Sequence, residues 1–200
     1  MAKKDGTLDL RIKRTQRAIK ESLFALIEEK GFEHISVKDI TDKAMISRNT
    51  FYLHYGDKYD LLNKICDELT RKLFFGVGKQ IRKTQRLDIS IESAAKIIQM
   101  GAVTISDDRD AYRILLASSC GDILMNKTAD IIRRALDLIK NDIEGISDYS
   151  IEYIVSGMSG MMKHYAANNL DIRVVENGGM NFARLHLGAI IDKINEKKGR

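Results

Sequence analysis

The chain has 200 residues, 44% hydrophobic and 30% charged, with 33 Lys and Arg against 28 Asp and Glu for a formal net charge of +5. That mixture excludes a disordered chain, and the absence of proline beside abundant Ile, Leu, Ala, Lys and Glu favours helices over a turn-rich sandwich or barrel. No apolar run reaches the roughly 18 residues of a membrane span and the N-terminus lacks the apolar core of a signal peptide, so an all-α cytoplasmic protein with no membrane partner is expected.

In chain order, Ile12, Ile19, Leu23, Leu26 and Ile27 recur at helical spacing from about Asp9 to Lys30, and Gly31 is placed to end that helix. The net charge alone fits a solvated basic surface as well as a polyanion partner, but Lys3, Lys4, Arg11, Lys13, Arg14, Arg17 and Lys20 crowd this start against only Asp5 and Asp9, a distribution that favours nucleic acid. Ser36, with Asp39 three residues on, then caps a second helix whose Val37, Ile40 and Ala44 share one face. Ser47 caps a third, on which Phe51 is the inward anchor and Arg48, Asn49, Thr50, Tyr52 and His54 carry donors and acceptors. Two short helices joined by a turn outline a helix-turn-helix, and the third suits a major groove.

Asp57 caps a fourth helix marked by Tyr59, Leu62, Ile65, Cys66, Leu69 and Leu73, with a break expected at Gly76 and Gly78 and a polar stretch from Lys79 to Arg86. Periodicity resumes from Ile91 to Val103. Asp107-Asp108 precedes a helix with Tyr112, Leu115 and Leu116, and Asp122 opens a long one running to Ile143 and Gly145. Ser150 is placed to cap Ile151 to Asn168, Gly178-Gly179 reads as a turn or a packing site, and a last helix covers Met180 to Ile194. Residues 1–60 thus read as a three-helix DNA-binding head and 61–200 as a larger helical regulatory and dimerisation domain. Cys66 and Cys120, without a CxxC or Cys/His cluster, read as buried small hydrophobes.

The front of the chain resembles the TetR family of bacterial transcriptional regulators. The resemblance covers Thr15 to Leu62: Gly31-Phe32, Val37-x-x-Ile40, Ala44-x-x-Ser47, and Thr50-Phe51-Tyr52-x-x-Tyr55-x-x-Lys58-x-x-Leu61-Leu62. It implies that Ser47, Arg48, Asn49 and Thr50 lie near base edges or phosphate, Tyr52 and His54 on the sugar-phosphate backbone, Lys58 on a phosphate, and Lys38 beside the groove. Met45 departs from the glycine usual in the family's turn, where a left-handed backbone costs Met more than Gly. The stretch from Tyr153 to Ile194 resembles the family's last two helices, which form its dimer bundle, most tellingly over Tyr153 to Met162, and this implies Ser156, Gly157, Gly160, Met161, Leu187 and Ile190 at a four-helix interface; an ordinary intramolecular core would use the same residues. The Tyr112–Leu116 segment and the Phe51–Tyr55 wording resemble a DhaS-like branch found in low-GC Gram-positive bacteria.

The resemblance implies a homodimer on a palindromic double-stranded DNA operator, a repressor released by a small apolar or amphipathic effector; the alternative is a co-regulator whose C-terminal domain binds a partner protein. Candidate effector linings are Phe74, Phe75, Ile97, Met100, Tyr112, Leu116, Met125, Tyr153, Met161, His164 and Tyr165, although each is also ordinary core material. No nucleophile elbow, HExxH, phosphate loop or metal spacing is present, and His34, His54, His164 and His186 are scattered. Neither catalysis nor a cofactor or metal is expected.

Overall fold

The computed structural model describes residues 3–83, 90–140, 147–168, 172–189 and 191–192. Its helices are α1 (Lys3–Lys30), α2 (Val37–Lys43), α3 (Arg48–Tyr52), α4 (Lys58–Lys83), α5 (Ile91–Asp107), α6 (Arg109–Ala117), α7 (Gly121–Lys140), α8 (Asp148–Ala167) and α9 (Ile172–Phe182). A 3₁₀ turn, Phe32–His34, links α1 to α2, and α9 passes directly into a π-helical turn, Ala183–Leu187. No strand occurs among the described residues, so the chain is all-α.

Local chemistry sets the helix ends of the head. Gly31 follows α1 at φ 76° and ψ 150°, a backbone region essentially reserved for glycine. At the start of α2 the capping box is complete: the Asp39 amide donates to Ser36 Oγ at 3.2 Å, while the Ser36 amide and hydroxyl donate to the Asp39 carboxylate at 2.8 and 2.6 Å. The Ser36 hydroxyl and amide, and then Lys30, hold the Asp39 carboxyl well below the usual carboxylate range. Its stabilising contribution is therefore complete above the unfolded pKa of about 3.9 and is lost as pH falls through the lower folded value.

The turn after α2 is a Schellman motif. The Met45 amide donates to Asp42 O at 3.2 Å and the Ile46 amide to Thr41 O at 3.0 Å, which places Met45 in the left-handed position at φ 54°. Its side chain is 91% exposed and gains little packing in return. Met45→Gly should stabilise the full chain by up to about 1 kcal/mol, the αL penalty of about 1–2 kcal/mol less glycine's own entropy cost. A urea unfolding curve checks this; a lower midpoint would mean that the Met45 side chain holds the turn.

One apolar cluster runs from Ile19 and Leu23 of α1 through Phe32, Ile40 and Phe51 of the head and Leu61, Leu62, Ile65, Cys66 and Leu69 of α4 to Tyr112, Leu115, Leu124, Met162 and Ala166. The expected boundary at residue 60 thus lies within the first turn of α4, a helix that belongs to both sides. Burial pushes the Cys66 thiol up to about 12, and both cysteines sit in this core. Beyond the head, α4 packs on α5 and α7, α6 and α7 pack on α8, and α5 packs on α9.

Several element boundaries differ from the sequence expectation. The first helix begins at Lys3 instead of Asp9, with Asp9–Lys13 and Arg17–Glu21 pairs at 2.7 Å along its exposed face. The break expected at Gly76 and Gly78 is absent, because α4 runs through both to Lys83. The cap of α8 is Ser147, whose Oγ accepts from the Ser150 amide at 3.3 Å, so the helix begins three residues earlier than expected. Gly178 and Gly179 lie inside α9 instead of forming a turn. Ile143 and Gly145 lie outside the described residues.

Candidate nucleic-acid interface

The recognition element is short. Helix α3 has five residues, far fewer than an isolated helix needs, and is held by its cap and by a single buried side chain. Ser47 Oγ accepts from the Thr50 amide at 3.1 Å and lies 2.9 Å from Thr50 Oγ1, so both hydroxyls are already engaged in building the helix start. Phe51 is fully buried against Tyr55, with ring centroids 5.6 Å apart. With Phe51 inward, Arg48, Asn49 and Tyr52 are exposed on the other sides.

His54 lies beyond α3, half-buried beside Tyr55, and its carbonyl accepts from Lys64 Nζ at 3.0 Å. Lys38 is exposed on α2 and 3.4 Å from Asp42. Lys58 has an internal role: its ammonium donates to the carbonyls of Phe32 and Glu33 at 3.0 and 3.1 Å and lies 4.8 Å from the Phe32 ring centroid. Of its three N–H donors one is left for a phosphate. The basic start of α1 is partly neutralised, since Lys13, Arg17 and Lys20 pair with Asp9, Glu21 and Glu68. Arg11 and Arg14 remain exposed.

Two exposed apolar side chains flank this face and were not among the sequence candidates as groove residues: Met45 in the turn and Leu53, 81% exposed, at the end of α3. The signal for Leu53 was present in the sequence. Residues one and two apart on a helix do not share a face, so burying Phe51 turns Tyr52 and Leu53 outward, where an apolar side chain can meet a thymine methyl.

Behind the head, a cavity of about 70 Å³ lies between α4, α5, α7 and α8, bounded by Leu73, Phe74, Ile97, Ile98, Gly101, Ala102, Ile105, Thr128, Ile132, Met158, Met161, Met162 and Tyr165. Phe74, Ile97, Met161 and Tyr165 were expected there; Met100, Tyr112, Leu116, Met125, Tyr153 and His164 lie elsewhere. Tyr112 is fully buried core, its hydroxyl donating to Leu69 O at 3.1 Å, and Met125 is core as well. Leu116 packs against the core's flank and Met100 is half-buried on α5. Helical phase puts Tyr153 and His164 on the outer side of α8, where Tyr153 Oη lies 2.6 Å from His186 Nδ1 and His164 Nδ1 lies 3.2 Å from Asn168 Nδ2. Phe75 is exposed on α4.

Of the residues expected at a dimer interface, Ser156 and Gly160 are exposed, and a Cβ on Gly160 would meet nothing within 4 Å. Gly157 has an internal reason: a Cβ there would lie 3.0 Å from the Phe182 ring of the same chain. Met161 turns inward to the cavity, Leu187 is half-buried, and Ile190 lies outside the described residues.

A capped helix-turn-helix on a helical body defines a DNA-binding transcriptional regulator. Residues 20–65 match the model of the bacterial regulatory proteins of the tetR family. That segment is thus a helix-turn-helix unit of the tetR type. It is 33% identical over 63 residues to the uncharacterized HTH-type transcriptional regulator YxbF of Bacillus subtilis (strain 168), a match spanning 32% of this chain and 16% of that protein. An uncharacterized HTH-type transcriptional regulator of Haemophilus influenzae is 26% identical over 152 residues, 72% of this chain and 67% of that one. Among solved structures, a protein assigned to the TetR family of transcriptional regulators from Syntrophomonas wolfei str. Goettingen shares the fold with a TM-score of 0.67 at 14% identity, over 88% of this chain and 96% of that one. Among the described residues no helix is long and apolar enough to cross a membrane.

Proposed function

We propose that the chain is a homodimeric repressor that binds a palindromic operator and is released by a small apolar or amphipathic effector. The observation that carries the DNA-reading part is the exposed polar face of α3, with Arg48, Asn49 and Tyr52 outward from a helix anchored by the buried Phe51. Arg can pair with guanine in bidentate fashion and Asn with adenine. The dimer is supported by exposed apolar side chains on α8, α9 and the π-helical turn, with Tyr149 90%, Val174 54% and Leu185 79% exposed. Two heads reading half-sites one helical turn apart also need a two-fold axis.

The effector reading is supported by the cavity and by α4. At about 70 Å³ the cavity is well below the roughly 300 Å³ at which ligand pockets begin, so an effector that enters must part the helices around it, α4 among them. Because α4 also carries Lys58 and Leu61 in the head, such a displacement moves the head. A ligand favouring the displaced conformation weakens operator affinity by the same coupling energy, about 1–3 kcal/mol.

Arg48→Ala should cost about 1–3 kcal/mol of operator binding and relax selectivity at one base position, read by fluorescence anisotropy against a panel of single-base variants. Uniform weakening across the panel would contradict base reading by Arg48.

A further inference from the structure

Outside the inner cavity, α4 and α7 enclose an open groove of about 570 Å³, within the size range of ligand sites. Its composition is unlike the cavity's. Arg71 of α4 and Arg134 of α7 both line it, and among the described residues neither guanidinium has a carboxylate or hydrogen-bond partner. The groove's own acids are already neutralised, Asp67 by Lys127 at 2.6 Å and Asp130 by Arg133 at 2.9 Å. Two uncompensated cations thus face one space. Beside them stand the apolar side chains of Ile131, Phe74 and Phe75, the last 72% exposed.

A second observation points to the same place. Thr70 lines the groove, is only 3% exposed, and its hydroxyl has no hydrogen-bond partner. Other helical hydroxyls of the body return to the carbonyl four residues back: Thr104 to Met100 O at 3.0 Å, Ser106 to Ala102 O at 3.0 Å, Thr128 to Leu124 O at 2.9 Å. Thr70 forgoes that bond. A buried, unsatisfied hydroxyl costs stability unless something else accepts from it. Phe74, in turn, lines both the groove and the inner cavity, so one side chain separates a cationic mouth from an apolar interior.

We propose that this groove binds an amphipathic anion, a carboxylate or phosphate head on an apolar chain: Arg71 and Arg134 hold the head, Thr70 donates to it, and Phe74 and Phe75 receive the chain. Guanidinium groups suit either head by bidentate pairing. Such a site deepens the effector reading and rests on it only for consequences at the DNA, because ligand binding to the free chain is measured separately.

The test is calorimetric titration of the full chain with sodium decanoate, decyl phosphate and decanol, each below its micelle or solubility limit. At least one anion should bind tenfold or more tighter than decanol, and Arg71→Gln with Arg134→Gln should weaken that anion about ten- to hundredfold. Decanol binding should be unchanged in that variant. Which anion binds tells a carboxylate head from a phosphate head. Thr70→Val keeps the shape and removes the unpaired hydroxyl, so it should raise the thermal unfolding midpoint while weakening the anion several-fold, a split that a purely structural threonine would not give. The proposal is overturned if neither anion binds the unaltered chain, or if the double variant binds the anion as tightly. Anion binding that needs both arginines yet leaves operator affinity unchanged would uphold the site and remove the effector-released repressor reading alone.

Discussion

Phe51→Ala should destabilise the head by about 3–5 kcal/mol and remove operator binding altogether. Phe51 is fully buried, edge-on to Tyr52 at 5.6 Å and tilted against Tyr55 at the same distance, and it is the one buried side chain of the five-residue α3. Truncation leaves a void beside the exposed Tyr52 ring and the buried Tyr55 ring, which relaxation closes only in part. The helix cannot persist without the contact, since five residues fall far short of the dozen or so that make an isolated helix even marginal. Urea unfolding reads the stability loss and anisotropy the loss of binding. Operator affinity equal to the unaltered chain would mean that α3 is not the reading element.

Leu185→Asp should leave the fold of each chain intact and abolish dimerisation. Leu185 is 79% exposed in the π-helical turn beside a groove that also holds Val174, Phe182 and His186, so in a single chain the substitution is a surface change worth within about 0.5 kcal/mol. In a dimer covering that face the same carboxylate would be buried without a partner, at about 3–5 kcal/mol, which is hundreds-fold or more in association. Sedimentation at micromolar concentration separates the cases. A persisting dimer would place the interface elsewhere and leave Tyr149 and Leu185 as an apolar surface for something other than a second copy.

The head was legible in the sequence because its structure is set by chemistry within a few residues. Ser36 with Asp39, Ser47, Asp57 and Gly31 all stand where the helix ends are, and the φ of Met45 follows from its place in the Schellman turn. The body was less legible because tertiary packing decides it. Gly76 and Gly78 read as a break, yet α4 continues through them, and two serines three residues apart compete to cap α8 until the helix phase is known. The candidate cavity shows the same limit. Tyr112, Met125 and Met161 are alike as apolar residues of a sequence, and only the relative rotation of α6, α7 and α8 makes the first two core and the third a cavity wall. Arg71 and Arg134, far apart along the chain, could not be seen to share a groove before α4 and α7 were packed together.

Two copies of α3 reading a two-fold DNA site should leave their mark on the sequences the protein selects. The decisive measurement is selection of bound fragments from a random duplex pool by the purified full chain, followed by the same selection with Arg48→Ala. The enriched sequence should be an inverted repeat whose half-sites lie about one helical turn, or a whole multiple of it, apart, with information lost at one symmetric pair of positions in the variant. Enrichment of a single unrepeated half-site, or no enrichment over the starting pool, would contradict a paired reading by α3.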